Sequence, residues 1–156
     1  MCWMCDHPGS TVDDYLAVVR AIIFEHGWAV QFVEDDRMPY ANTIGLTDRG
    51  LPELLVTGLS PQRAARLLNR VAQRAVDGDP PSAGMQLTVC AGPLVEIIEV
   101  EHPDPHMNFG LVFYGNELRA LQLVWSDARG RWPWTRTFND GRGGQSVLGV
   151  REERAS

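Results

Sequence analysis

The 156-residue sequence has no lysine, because all 14 of its basic residues are arginine. This absence excludes Schiff-base chemistry, a phosphate-binding-loop lysine and a catalytic serine-lysine pair. No apolar run approaches the roughly 18 residues that a membrane helix requires, and the start lacks the basic and apolar regions of a signal peptide. We therefore expect a cytoplasmic protein that has no membrane segment.

Positive charge is also scarce relative to negative charge. The net charge is -6, and the arginines are dispersed, which argues against a nucleic-acid partner. A small-molecule or protein partner and a homodimer all stay open. With 44% hydrophobic and 22% charged residues, the composition is that of an ordinary globular domain. The three cysteines are an odd number and argue against a disulfide framework. Cys90, in apolar MQLTVCAG, is expected to be a buried, unreactive thiol.

Periodicity and cap residues predict two helices separated by strands. The first helix runs from a Ser10 or Thr11 cap to His26-Gly27, and the second is SPQRAARLLNRVAQRAVDG, with Ser60 as its cap. In the second helix the apolar positions alternate with an arginine face that meets solvent or an acidic partner: Arg63, Arg66, Arg70 and Arg74. Predicted strands are WAVQFVE, ANTIGL, LPELLVTGL, MQLTVCA, LVEIIEVE and LRALQLVWSD.

This order of elements predicts an α+β fold. Neighbouring strands without intervening helices indicate a mostly antiparallel sheet or a small barrel, with two main helices packed on it. The glutamates within LVEIIEVE suggest a half-exposed or edge strand. We expect one domain over residues 1–137 and a flexible C-terminal tail over residues 138–156.

Several sequence motifs resemble those of one family of small proteins. The motifs are PYANTIGLTDRGLPELLVTGL, EHPDPH, LRALQLVWSD, GRWPW and the opening CDHP. They resemble the domain of unknown function 4262 family, which is bacterial and mainly actinobacterial, and the resemblance runs from Cys2 to about Trp134. It implies a shared fold but no reaction. The departure is Asn42, where the resemblance implies a second aromatic residue after Tyr40-Ala41.

The opening MCWMCDHPGS and the later HPDPH together predict a metal site. Two thiolates three positions apart, Cys2 and Cys5, can hold one Zn²⁺ ion, and His102 and His106 complete the ligand set of a tetrahedral Cys₂His₂ site. His7 is an alternate ligand, or a group that supports a ligand from outside the coordination sphere. The expected ion is zinc, with iron as the alternative. An open site would favour metal-assisted hydrolysis, whereas a closed site would be structural.

Other interpretations of these residues stay open. The cysteines can belong to a frayed terminus and the histidines to a loop, without any metal. Cys2 and Cys5 can form a redox dithiol, although five residues separate Cys5 from the first helix and no strand precedes it. Cys2 can act as an N-terminal nucleophile if Met1 is removed.

The contrasting hypothesis is a non-catalytic module that binds a small molecule or a partner. Its pocket candidates are Tyr40, Thr43, Glu53, Trp132 and Trp134. The two tryptophans flank Pro133 and are expected to point the same way, walling an apolar pocket or covering the edge of the core. Glu53 follows Pro52 in a strand and is expected to face solvent or pair with an arginine such as Arg131.

Overall fold

The computed structural model describes Gly9 and residues 11–34, 38–89, 93–100 and 119–150. This part of the chain contains two α-helices, seven strands and two short 3₁₀ helices. In chain order they are α1 (Val12–His26), β1 (Ala29–Val33), β2 (Tyr40–Ile44), a 3₁₀ helix (Leu46–Arg49), β3 (Glu53–Thr57), α2 (Pro61–Val76), β4 (Gln86–Thr88), β5 (Leu94–Val100), β6 (Ala120–Trp125), a 3₁₀ helix (Phe138–Gly141) and β7 (Gly149–Val150).

Local cap chemistry fixes both helices. The Thr11 hydroxyl accepts from the N–H of Asp14, whose carboxylate accepts from the N–H of Thr11, so α1 starts with a capping box. The helix ends at Gly27, which has a positive φ of 95°. Ser60 caps α2 and Pro61 occupies its first turn. These starts and stops confirm the predicted helices.

The strands form one open sheet in the order β1-β2-β3-β6-β5-β4, and β7 also pairs with β5. Every pair is antiparallel except β3 with β6, which run parallel. The α+β prediction with a mostly antiparallel sheet is therefore confirmed. The barrel alternative is not realised, since β1 and β4 lie at opposite ends of the strand order.

The helices cover opposite faces of the sheet. The buried side of α2, which includes Leu67, Leu68 and Val71, packs against the face that contains Ala41. Val19 of α1 packs with Ile44, which points to the other face because it lies an odd number of residues from Ala41. No helix among the described residues is long and apolar enough to cross a membrane.

Strand β5 is not an edge strand, which differs from one of the two expectations. It lies between β6 on one side and β4 with β7 on the other. Glu96 is buried, with 1% of its surface exposed, and accepts a hydrogen bond from the Gln86 amide at 3.0 Å. Glu99 is exposed. The polar side chain of a central strand is therefore compensated inside the protein.

The region after residue 138 packs onto the domain over its described length, which differs from the prediction of a flexible tail. Phe138 is 2% exposed and lies against Trp125, with ring centroids 5.4 Å apart. The Gln145 amide exchanges two hydrogen bonds with the Trp125 backbone, at 3.0 and 2.8 Å. Strand β7 then pairs with β5. The predicted boundary at residue 137 thus cuts through packed structure.

Candidate functional site

Glu53 gathers five hydrogen bonds at the start of β3 and is completely buried. Its Oε1 accepts from the Thr43 hydroxyl at 2.8 Å and from the Leu46 N–H at 3.2 Å. Its Oε2 accepts from the Gly45 N–H at 3.2 Å, and from the N–H and hydroxyl of Thr47 at 2.9 and 2.5 Å. All the donors belong to residues 43–47, so this carboxylate holds the turn between β2 and β3.

Gly45 makes this arrangement possible. Its φ is +124°, a conformation that side-chain-bearing residues rarely adopt. A Cβ atom at this position would lie 2.9 Å from the Trp28 Cα. The bend after β2 directs successive N–H groups at one point, as in the backbone concavities that bind anions. Here the anion is supplied by the protein's own Glu53.

The electrostatics of Glu53 follow from this enclosure. Burial raises the pKa of the Glu53 carboxyl, and the hydrogen bonds from Thr47, Thr43 and Gly45 act against that shift. The sequence predicts that Glu53 faces solvent or pairs with an arginine, and both predictions are wrong. Arg131 instead contacts Asp127 at 2.8 Å and Asp140 at 3.0 Å.

Two other pocket candidates lie on β2. The Thr43 hydroxyl donates to Glu53 and accepts from the Leu54 N–H at 2.9 Å, and the residue has no exposed surface. The half-buried Tyr40 packs against the small cluster of Leu55, Val100 and Ala120. Thr43 is therefore part of the turn that Glu53 holds. Tyr40 lies on the more polar face of the sheet, which is the face that α2 does not cover.

That face carries amide side chains on neighbouring strands, of which the sequence singles out only Asn42, as the departure from the family pattern. Register places Gln31 opposite Asn42, Asn42 opposite Leu55, and Leu55 opposite Gln122. Asn42 and Gln122 have no exposed surface. Buried amides inside short strands look like the solvent-facing half of an alternating pattern, so the sequence does not show that Asn42 and Gln122 are buried.

The amides of this face are satisfied to different degrees. Gln122 donates to the Ser146 carbonyl at 2.7 Å and accepts from the Leu148 N–H at 2.7 Å. Asn42 donates to the Thr43 carbonyl at 3.2 Å. Its Oδ1 is the one buried side-chain oxygen or nitrogen without a hydrogen-bond partner in the part of the chain described here. Such an orphan acceptor is costly and needs an explanation.

The remaining candidates, Trp132 and Trp134, stack on each other. Their ring centroids are 5.2 Å apart and the rings are within 8° of parallel, so both side chains lie on one side of the turn, as expected. Trp134 is 37% exposed. The stack presents a partly exposed aromatic surface just after Arg131.

Asp127 fixes the loop that carries this stack. Its carboxylate accepts from the N–H groups of Arg129, Arg131 and Asn139 at 2.8 to 2.9 Å, and from the Arg131 guanidinium at 2.8 Å. Burial alone would raise the Asp127 pKa, but these bonds outweigh it and lower the pKa to about 2. Four hydrogen bonds to Asp127 therefore hold the loop that carries the tryptophan stack.

The predicted metal ligands are not tested by this geometry. Cys2, Cys5, His7, His102 and His106 all lie outside the described residues, as does Cys90. Within the described ranges there is no group of three His, Cys, Asp or Glu that could hold a metal ion. The described histidine, His26, is exposed at the end of α1, 3.9 Å from Glu25.

Comparison with protein families gives one match. Residues 22–139, most of the chain, match the family described as Domain of unknown function (DUF4262). The chain belongs to this family. No curated protein and no solved structure matches it significantly. The DUF4262 match confirms the resemblance inferred from the sequence motifs.

The structure shows what two of the motifs behind the DUF4262 resemblance do in the fold. PYANTIGLTDRGLPELLVTGL contains Glu53 together with all the groups that donate to it, and GRWPW contains the tryptophan stack. The matched range includes His102 and His106 but begins after Cys2, Cys5 and His7. The histidine half of the predicted metal site thus lies within the DUF4262 domain, and the cysteine half precedes it.

Proposed function

We propose that this DUF4262 protein binds one transition-metal ion, zinc ahead of iron, through Cys2, Cys5, His102 and His106. His7 is the alternate ligand. The observation that carries the proposal is the complementary pair of clusters, a C-x-x-C and an H-x-x-x-H. Thiolate sulfur and imidazole nitrogen are the ligands that tetrahedral zinc sites use.

The described part of the domain is consistent with this choice of ligands. It offers no alternative group of three His, Cys, Asp or Glu. The other residues contain all three cysteines and three of the four histidines, which are the side chains that the proposed site uses. Glu53 and Asp127 are occupied by protein donors and hold structure instead.

The number of protein ligands decides the chemistry. With three protein ligands, zinc would keep a position for water and lower the pKa of that water to about 7, which is the chemistry that metal-assisted hydrolysis requires. Four protein ligands give a structural site, and the metal then contributes to folding. Replacing zinc by Co²⁺ distinguishes the two, because the absorption spectrum of cobalt reports the number and type of its ligands.

Metal analysis of the untagged, reduced protein tests the proposal. We expect close to one equivalent of metal, and loss of most of it in Cys2→Ser with Cys5→Ser and in His102→Ala with His106→Ala. Cys90→Ser and His26→Ala are matched controls and should keep the metal. A double-cysteine variant with full metal content would refute the ligand set. Metal-free wild-type protein would favour the thiol alternatives, a redox pair or an N-terminal Cys2 nucleophile.

A specific observation favours a second candidate, a binding module. The unpartnered Oδ1 of buried Asn42 would accept a hydrogen bond from an N–H or O–H group of a small molecule on the polar face of the sheet. A thermal-shift screen of small amides and alcohols against metal-free protein tests this candidate. Shifts that disappear in Asn42→Leu, a substitution of similar size, would support it, and an absence of shifts in wild type would contradict it.

A further inference from the structure

A groove of about 440 Å³ separates the second half of α2 from β4. Its apolar lining is a small accessible part of Val71 from the helix and of Leu87 and Val89 from the strand side, each at most 9% exposed. Charged and polar groups, including Arg70, surround these side chains. The volume lies within the range of natural ligand sites, and it is sufficient for one or two large side chains.

The strand beside this groove has one unpaired edge. β4 is the last strand in the order, and no strand in the described ranges pairs with its outer side. The Ser126 N–H donates to the Leu94 carbonyl, so the backbone N–H and C=O groups of Leu94, and of every second residue after it in β5, point toward β6. The backbone groups of Val95 therefore point toward Leu87 in β4. Those of Gln86 and Thr88 consequently point away from the sheet. This is the pattern that an added strand requires.

The helix beside the groove is cationic on its exposed side, although the protein as a whole is acidic. α2 contains no aspartate or glutamate. Its outer face carries an arginine stripe, defined as the exposed residues Arg63, Arg66, Arg70 and Arg74. At a net charge of -6 for the whole chain, this helix is a local reversal of sign. A negatively charged partner is therefore attracted to this side of the molecule.

The acidic residues at the far end of the groove are engaged within the protein. Asp79 pairs with Arg74 at 2.6 Å, and Asp77 accepts from the Gln73 amide at 3.0 Å. The rim near the end of α2 is consequently close to neutral. Further toward the start of the helix, Arg63 and Arg66 form no ion pair with any acidic side chain in the described ranges.

We propose that this groove binds an extended, acidic peptide of a partner protein. The peptide adds as a strand to β4 by bonding to the outward N–H and C=O groups of Gln86 and Thr88. One apolar side chain of the peptide occupies the groove over Val71 and Leu87, and its carboxylates face the arginine stripe. This site is separate from the proposed metal ligands and does not depend on them.

An extended peptide fits these features better than a nucleic acid or an anionic membrane. Phosphate groups would use the arginine stripe, but they would leave the apolar groove empty and the strand edge unbonded. The apolar side of α2 packs in the core, apart from the small part of Val71 that borders the groove, so the helix has no broad apolar face to insert into lipid. Only a peptide backbone with alternating side chains uses the edge, the groove and the stripe together.

Fluorescence anisotropy with two labelled octapeptides tests the proposal, one alternating Glu with Val and the other Lys with Val. We expect the Glu-Val peptide to bind and its affinity to fall with added salt. Arg63→Glu combined with Arg66→Glu should weaken binding at least about tenfold, because like charges then oppose. These acids lie near the start of α2 and should not harm folding. Arg136→Glu combined with Arg142→Glu changes the net charge equally and should bind normally.

The strand edge is tested by a second pair of variants. Thr88→Pro removes an outward N–H group without breaking the β4–β5 pairing and should weaken binding about tenfold, whereas Thr88→Val keeps the N–H and should bind normally. Equal affinity for both peptides, no binding of the Glu-Val peptide, or Thr88→Pro binding as wild type would overturn the proposal. Displacement of the peptide by an oligouridine RNA or by anionic vesicles would show that the arginine stripe binds phosphate groups instead. That outcome would also overturn the proposal.

Discussion

Thr47 donates to the Glu53 carboxylate twice, through its hydroxyl at 2.5 Å and through its N–H at 2.9 Å. The two bonds join the 3₁₀ helix after β2 to the first residue of β3. Three further donors complete the set, so each carboxylate oxygen accepts at least two hydrogen bonds. Glu53, which is completely buried, is therefore a part of the framework.

Glu53→Gln should destabilise the protein strongly. In the wild type each carboxylate oxygen accepts at least one backbone N–H. Whichever way the glutamine amide is turned, its NH₂ group replaces one of these oxygens, so at least one buried N–H loses its acceptor. We expect a loss of about 2–4 kcal/mol in the free energy of unfolding, measured by urea denaturation. Thr47→Val removes one hydroxyl and should cost about 1 kcal/mol. An unchanged unfolding midpoint for Glu53→Gln would contradict this role.

Gly58→Ala should also destabilise the protein. Gly58 has a φ of +79°, and a Cβ atom there would lie 2.0 Å from the Gly144 carbonyl oxygen. The left-handed conformation costs about 1–2 kcal/mol and the steric clash roughly another 1–3 kcal/mol. Gly50→Ala is the matched control, because its φ of +74° is similar but a Cβ atom would meet nothing within 4 Å. If the two variants unfold at the same urea concentration, the close approach to Gly144 is not important.

The elements that the sequence predicts well are those with local signals. The Thr11 and Ser60 caps and the apolar spacing of α2 lie within one or two helical turns, so a short stretch of sequence contains the whole interaction. The strands were identified for the same reason. Their pairing order was not, because β3 and β6 are neighbours through a parallel contact between distant segments.

Long-range polar contacts were invisible to the same reasoning. Gln145 bonds to Trp125 and Ser146 to Thr57, over separations of 20 and 89 residues. The glycine-rich sequence around these residues contains no periodic signal and therefore predicts a flexible tail. The environment of Glu53 is hidden in the same way, since an acid in an apolar strand has no local feature that shows whether backbone donors surround it. Chemistry that depends on non-local partners required the structure.

Gln122→Ala should loosen the C-terminal segment while leaving the rest of the fold intact. The variant removes the acceptor of the Leu148 N–H and one of the donors to the Ser146 carbonyl, which Thr57 still contacts. We expect faster hydrogen exchange at the Leu148 amide and a loss of about 1–3 kcal/mol in stability. Gln73→Ala, which removes an exposed hydrogen bond to Asp77, should change neither. Slow exchange at Leu148 in Gln122→Ala would show that β7 alone holds the segment.

The stability of the protein should fall in acid through Asp127. Its pKa is lowered in the folded state from 3.8 to about 2, so the unfolded state binds the proton more readily. The stabilising contribution is thus fully present above about pH 4 to 5 and is lost as the pH falls toward 2. Protonation removes charge from the hydrogen bonds that the carboxylate accepts from Arg131 and Asn139, and these bonds hold the loop that carries the tryptophan stack.

Asp127→Asn separates this effect from general acid denaturation. The variant should be less stable than wild type at neutral pH, and the gap between them should narrow between about pH 4 and pH 2, because the variant has no proton to gain at this position. Glu99→Gln, which removes an exposed carboxylate from β5, is the control and should follow the wild-type curve. Urea unfolding at a series of pH values measures the gap, and tryptophan fluorescence reports on the stack. A constant gap across the series would show that Asp127 stabilises the loop by its shape rather than by its charge.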